Sequence, residues 1–228
     1  LLVDGLGWSL LREHEWDAPF LTSLATRTPI KAGFPTTTAT SVMSLGTGRH
    51  SGAHGIVGYS FADQDGGLMY PLSWTRRDTE GRRHNVLKQW PPEEFQPLPT
   101  VLEQATDAGT RAYAVASPEF RDTGLTRAAL RGGQFRDAHA LGDLAAGLVS
   151  AVTEPALCYA YHGHLDLLGH LHGPGSPPWR FQLRQVDRFV AMLADALPPS
   201  AVLVVLADHG MVRVDASVDD GVLDADSD

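Results

Sequence analysis

Four short runs of uninterrupted apolar residues set the architecture: LLV (1–3), AYAVA (112–116), ALCYAY (156–161) and AVLVVLA (201–207). A strand with one face in water alternates apolar and polar residues, whereas a run that is apolar at every position has to be covered on both faces. Between these runs lie amphipathic stretches at residues 18–27, 98–109, 140–152 and 178–197, several of which end at Gly or ahead of Pro, as helices do. Strand and helix in alternation define an α/β chain, a mainly parallel central sheet with helices on both faces. No repeat of fixed period is present, and residues 1–228 read as a single domain. A chain of 228 residues with 43% hydrophobic composition can bury such a core. Residues 59–97 break the rhythm, being rich in Gly, Pro, Trp, Arg and Asp. This stretch is expected to be an insertion or lid loop over one end of the sheet.

The formal net charge of -9 argues against a nucleic-acid polymer or an anionic membrane as partner, because neither gains electrostatically from a negative surface. A small anionic substrate would need local positive charge, such as bound metal ions. No run reaches the roughly 18–20 apolar residues that a membrane span requires, and no basic segment leads into an apolar one as in a secretory signal. The chain opens inside an expected strand and closes on the acidic DDGVLDADSD (219–228). It therefore reads as incomplete at both ends, with a cytoplasmic location as the working expectation. The single cysteine, Cys158, excludes an internal disulfide and is expected to be a buried, inert thiol.

The chemistry-bearing residues fall where the expected strands end. Asp4 follows the first run directly and precedes Gly5, which places its carboxylate at the carboxyl end of a strand, where open α/β sheets bind ligands. A helix cap or turn residue is the alternative role. The fourth run delivers Asp208 and His209 side by side, a carboxylate and an imidazole that together suit zinc, manganese or iron. The structural alternative is a simple hydrogen bond between the two. The third run leads into HGHLDLLGHLHGPG (162–175), in which Asp166 and His170 are four apart. On a helix that spacing puts both on one face, able to share a metal. His162, His164 and His172 are left as further ligands, substrate contacts or surface residues.

PTTTATS (35–41) adds four threonines and a serine at the start of an apolar segment with helical spacing. A helix cap needs one hydroxyl. The free N–H groups and positive dipole end of the helix also suit a phosphate, and a hydroxyl there becomes a nucleophile when a metal binds its oxygen.

Taken together, VDGLG (3–7), FPTTTATSVMSLGTGRHSGAHGIVGY (34–59), DLLGHLHGP (166–174) and LADHGM (206–211) resemble the alkaline phosphatase superfamily. The resemblance is strongest to its nucleotide pyrophosphatase/phosphodiesterase branch. It implies an alkaline-phosphatase-like fold and a two-metal hydrolase of phosphoric esters, with two divalent ions, zinc or manganese, and a small phosphate ester as substrate. Carried over by position, Asp4, Thr38, Asp208 and His209 would hold one metal, and Asp166 and His170 the other. Thr38, nine residues before Thr47 of the TG turn, would be the nucleophile and form a phosphothreonine, with Thr37 as the fallback. Ser41 and Ala39 would contact substrate, standing where nucleotide-cleaving members carry an asparagine and an aromatic residue. The family takes one more histidine for the second metal from a later HG segment, and no histidine follows His209. A phosphomonoesterase or phosphonate hydrolase of the same superfamily, or a metal-binding homologue without turnover, would share these residues. A sulfatase would need Cys or Ser in a C/S-x-P-x-R pattern, which Cys158 does not occupy.

Overall fold

The computed structural model describes residues 1–214; the acidic run at 219–228 lies outside them. Along the chain come β1 (Leu2–Val3), α1 (Trp8–Glu13), α2 (Pro19–Leu24), α3 (Thr38–Thr47) and α4 (Ser51–His54). Four short strands follow, β2 (Phe61–Ala62), β3 (Leu68–Tyr70), β4 (Thr75–Arg77) and β5 (Arg83–Asn85), then α5 (Pro92–Phe95) and α6 (Val101–Asp107). The remainder is β6 (Arg111–Ala116), α7 (Gly124–Leu130), β7 (Gln134–Asp137), α8 (Leu141–Ala151), β8 (Ala156–His162), α9 (His164–His172) and α10 (Pro177–Ala196).

The central sheet has the order β1-β8-β6-β7, and every pairing within it is parallel. Its strands send alternate side chains to opposite faces, as the pleat requires. Val3, Val115 and Ala160 join a core built with α1, α2, α8, α9 and α10. Leu2, Ala112 and Ala114 join a second core with α3, α6 and α7. The runs at 1–3 and 112–116 are thus apolar for the expected reason, a helical layer on each face. In α10 the buried Trp179, Leu183, Val186, Val190 and Leu193 recur at alternating steps of four and three, one stripe laid on the sheet. Thr100 and Glu103 form a reciprocal capping box that fixes the start of α6. Cys158 is half-buried, and desolvation pushes its thiol up to about 11, consistent with an inert group. No helix among the described residues is long and apolar enough to cross a membrane.

One expectation needs correction. AVLVVLA (201–207) does not form a regular strand. It makes a single parallel bridge, Leu206 to Leu2, supported by Val3 N–H to the Leu206 carbonyl at 2.8 Å and Leu206 N–H to the Leu1 carbonyl at 3.0 Å. The run lies outside β1, which offers two paired residues before the chain turns, so there is little ladder to join. Its alternation nevertheless persists, with Leu203, Val205 and Ala207 packed on the core and Val202 and Val204 exposed. Residues 59–97, expected to be an insertion or lid loop, contain β2 to β5, which form an antiparallel meander in sequence order. Strands of two or three residues are too short for alternation to register in the sequence.

The meander is tied to the helix that begins at Thr38. Trp74, buried between β3 and β4, rests on Gly124 of α7, where a methyl would sit 2.2 Å from the indole ring. Further along α7, the Ala129 carbonyl oxygen would lie 2.1 Å from a methyl on Gly46 of α3. Only glycine permits these two approaches. Gly46→Ala should therefore push α3 off α7 and cost about 1–3 kcal/mol, the usual penalty of overpacking, read as a lower denaturant midpoint with unchanged m-value. A midpoint equal to wild type would show that the two helices can part without cost.

Candidate metal centre and nucleophile

β1 ends at Val3, and Asp4 is anchored by its N–H to the His162 carbonyl at 3.0 Å. The run at 201–207 ends on the other side of β1, which sets Asp208 and His209 against Asp4. One ligand atom from each of Asp4, Asp208 and His209 lies within 4.8 Å of the others. His209 Nε2 is 3.3 Å from Asp4 Oδ1 and 3.6 Å from Asp208 Oδ2. Its Nδ1 lies 3.1 Å from the Gly210 carbonyl oxygen. A carbonyl only accepts, so Nδ1 is the donor and Nε2 is the ring nitrogen turned toward the two carboxylates.

Each buried aspartate has one oxygen occupied and one free. Asp208 Oδ1 accepts from the N–H groups of Gly5 at 3.2 Å and His209 at 3.0 Å. Asp4 Oδ2 accepts from the Tyr161 hydroxyl. Asp4 Oδ1, Asp208 Oδ2 and Asp166 Oδ1 are buried without a hydrogen-bond partner. Buried polar atoms are almost always paired, and two orphaned carboxylate oxygens, on Asp4 and Asp208, beside an imidazole nitrogen are a donor set that a divalent cation takes. The residues present thus fit a metal ion. Burial raises the Asp4 carboxyl to about 8, with the charge of Asp208 adding and the Tyr161 hydrogen bond opposing. Asp166 is also raised, chiefly by desolvation. Tyr161 is pushed upward by burial and then by the Asp4 charge, which keeps it a phenol and a donor.

Asp166 stands on the first turn of α9, close enough that a methyl on Gly5 would meet its Oδ1 at 2.9 Å. Its Oδ2 is 3.4 Å from His170 Nε2, and the His170 side chain is 71% exposed. The i,i+4 pair therefore does form on one helix face beside the first cluster. Of the other histidines in this stretch, His162 is buried with Nε2 3.1 Å from the Gln182 amide nitrogen; desolvation lowers it to about 4. His164 and His172 are exposed. His54, in the AHGIVGY motif, is closed between Ser44 and the Ile56 N–H.

PTTTATS divides its hydroxyls among distinct tasks. Thr37 is the N-cap of α3, its side chain accepting from the Thr40 N–H. That leaves Thr38, the first helical residue, with Oγ1 3.1 Å from His209 Nε2. The side chains of Ser41 and Ala39, which the resemblance would set against substrate, are engaged within the protein. The Ser41 hydroxyl donates to the Asp208 backbone carbonyl at 2.8 Å, holding the ligand-bearing turn, and the Ala39 methyl is fully buried in the second core. Tyr161 was missed in the sequence. It sits in an apolar run read only as a strand, and its nearness to the strand's carboxyl end was the available signal.

A parallel sheet with helices on both faces and carboxylates, a histidine and a threonine gathered at strand ends defines an alkaline-phosphatase-like α/β protein. The chain belongs to the type I phosphodiesterase / nucleotide pyrophosphatase family, whose family model matches residues 1–226. It is 25% identical over 231 residues to human ectonucleotide pyrophosphatase/phosphodiesterase family member 7, covering 95% of this chain and 48% of that protein. The chain thus spans about half the length of the curated relatives it matches. In fold it is similar to the phosphonoacetate hydrolase of Sinorhizobium meliloti (TM-score 0.63, 20% identity, 92% of this chain and 55% of that one). It is also similar to murine ectonucleotide pyrophosphatase/phosphodiesterase 5 (TM-score 0.59, 17% identity, 85% and 50%).

The raised Asp4 carboxyl gives a pH test. A carboxyl whose folded value lies above its ordinary 3.8 costs stability as pH rises from that value through about 8. His54 and His162, both lowered to about 4, act in the opposite sense only below their ordinary 6.5. The Leu1 amine, lowered by burial from its ordinary 8.0, acts in the opposite sense within this window, so the quantity to read is the difference between wild type and Asp4→Asn. Metal-free wild type should lose thermal stability relative to metal-free Asp4→Asn between pH 6.5 and 8.5, and zinc should flatten that difference; a metal-free difference that stays level across the range would contradict the burial of an unpaired carboxylate pair.

Proposed function

We propose that this chain is a divalent-metal-dependent phosphodiesterase of the nucleotide pyrophosphatase type, acting through a covalent phosphothreonine on Thr38. The observation that carries the reading is the Thr38 hydroxyl, free of the capping role and 3.1 Å from His209 Nε2, facing the partnerless oxygens of Asp4 and Asp208. Asp4, Thr38, Asp208 and His209 would hold one ion, and Asp166 and His170 contribute to a second. Such ions, zinc or manganese, supply the positive charge that acidifies a hydroxyl and offsets charge on a phosphoryl group.

The chain's own residues then do the following. Thr38 gives up its proton to solvent and its oxygen attacks phosphorus in line with the departing ester oxygen. The bond from phosphorus to that oxygen breaks as the new one forms; the leaving oxygen takes a proton from solvent, and Thr38 holds the phosphoryl group with its second ester substituent still attached. Water then attacks phosphorus on the opposite side, and the Thr38 oxygen leaves and regains a proton. The first turn of α3 serves the non-bridging oxygens. Thr40 N–H is taken by Thr37 and Ser41 N–H by the Thr37 carbonyl, so the N–H groups of Thr38 and Ala39 are the ones left to point outward. Ala39 therefore contributes through its backbone. Support also comes from murine ectonucleotide pyrophosphatase/phosphodiesterase 5, an inactive threonine-to-alanine form of which was solved with AMP. The fold likeness to a phosphonoacetate hydrolase makes a phosphonate the second substrate to try.

With zinc or manganese present, bis-p-nitrophenyl phosphate should be hydrolysed in preference to p-nitrophenyl phosphate and phosphonoacetate. Thr38→Ala should reduce turnover by at least about 1,000-fold. Thr37→Ala should instead cost about 0.5–2 kcal/mol of stability, as a lost cap does, and keep turnover. Full activity in Thr38→Ala, or its loss only in Thr37→Ala, would refute the assignment; hydrolysis of phosphonoacetate alone would move the chain to phosphonate chemistry.

A further inference from the structure

Resting on the metal-centre reading above, we infer that Tyr161 is a positioning residue: it fixes Asp4 as a one-oxygen ligand by occupying the other oxygen. The two central aspartates are held in the same way but by different means. Asp208 has its Oδ1 held by two backbone N–H groups, which only proline at those positions would remove. Asp4 has its Oδ2 held by one side chain, the phenol of Tyr161, 157 residues away in sequence. In both cases the oxygen left over is the one turned toward His209 Nε2.

The phenol is itself held in place. Tyr161 pairs from β8 with Leu2 of β1, one residue before the Val3–His162 pair, so its backbone runs in register with the strand that carries Asp4. Its ring meets Phe120 edge to face, with centroids 5.4 Å apart and planes at 90°. That contact restrains rotation of the ring and so aims the hydroxyl. A carboxylate freed of this bond could rotate about its side-chain torsion and present either oxygen, or both, losing the preorganisation that makes a ligand set tight.

Tyr161→Phe keeps the ring and the Phe120 contact and removes only the donor. In the full chain, zinc affinity measured by competition with a chromophoric chelator should fall roughly 10–100-fold, the range for loss of a hydrogen bond that orients a ligand. The metal-free protein should keep its circular dichroism spectrum. In an Asp4→Asn background the same change should have no further effect on zinc affinity, because the oxygen it orients is gone. Zinc affinity within twofold of wild type in folded Tyr161→Phe would overturn the role, as would an equal loss in both backgrounds. A wild-type chain that binds no zinc would overturn the metal-centre reading itself, an outcome distinct from an unaffected variant.

Discussion

Two carboxylates buried side by side are the constraint around which this end of the molecule is organised. Asp4 and Asp208 are both almost wholly removed from water, and like charges in a low-dielectric setting repel strongly. Such a pair survives in a fold only with compensation, and the surroundings supply half of it. Gly5 and His209 give N–H groups to Asp208, and Tyr161 gives a hydroxyl to Asp4. The other half is left as a pocket with two partnerless carboxylate oxygens and an imidazole nitrogen at its rim. A bound cation is the natural compensation for such a donor set.

The polar segment before α3 complements that arrangement. A helix start needs one hydroxyl and a ligand-bearing turn needs a tether, and Thr37 and Ser41 fill those two roles. Thr38 is thereby left with no structural duty of its own, beside the cleft and at the positive end of a helix. The structural work of the segment is thus carried by the hydroxyls on either side of Thr38.

Much of this was legible in the sequence because burial on both faces leaves an unmistakable mark. The runs at 1–3, 112–116 and 156–161 became strands, and the residues following the first and last runs met at one sheet end. What escaped notice did so for physical reasons. β7 pairs only with β6 at the sheet edge, so Gln134–Asp137 is polar and carries no apolar signature. The run at 201–207 has strand composition but finds only one bridge beside a two-residue neighbour. The positions of Asp4, Asp166, His170, Asp208 and His209 followed from strand ends and helical spacing. The tasks of Ser41, Ala39 and Tyr161 did not, because each depends on a partner more than a hundred residues away or on packing that one-dimensional pattern does not record.

The two glycine contacts along α7 link distant parts of the chain. Trp74 of the meander presses on Gly124, and Ala129 of the same helix presses on Gly46 of α3, the helix whose first residue is Thr38. With no side chain at either notch, α7 has no slack between its two neighbours and acts as a rigid strut. The antiparallel sheet is in this sense the abutment against which α3, with Thr38 at its start, is set. A shift in the meander's packing would press through α7 on α3, so a segment outside the cleft bears on where the helix that begins at Thr38 lies.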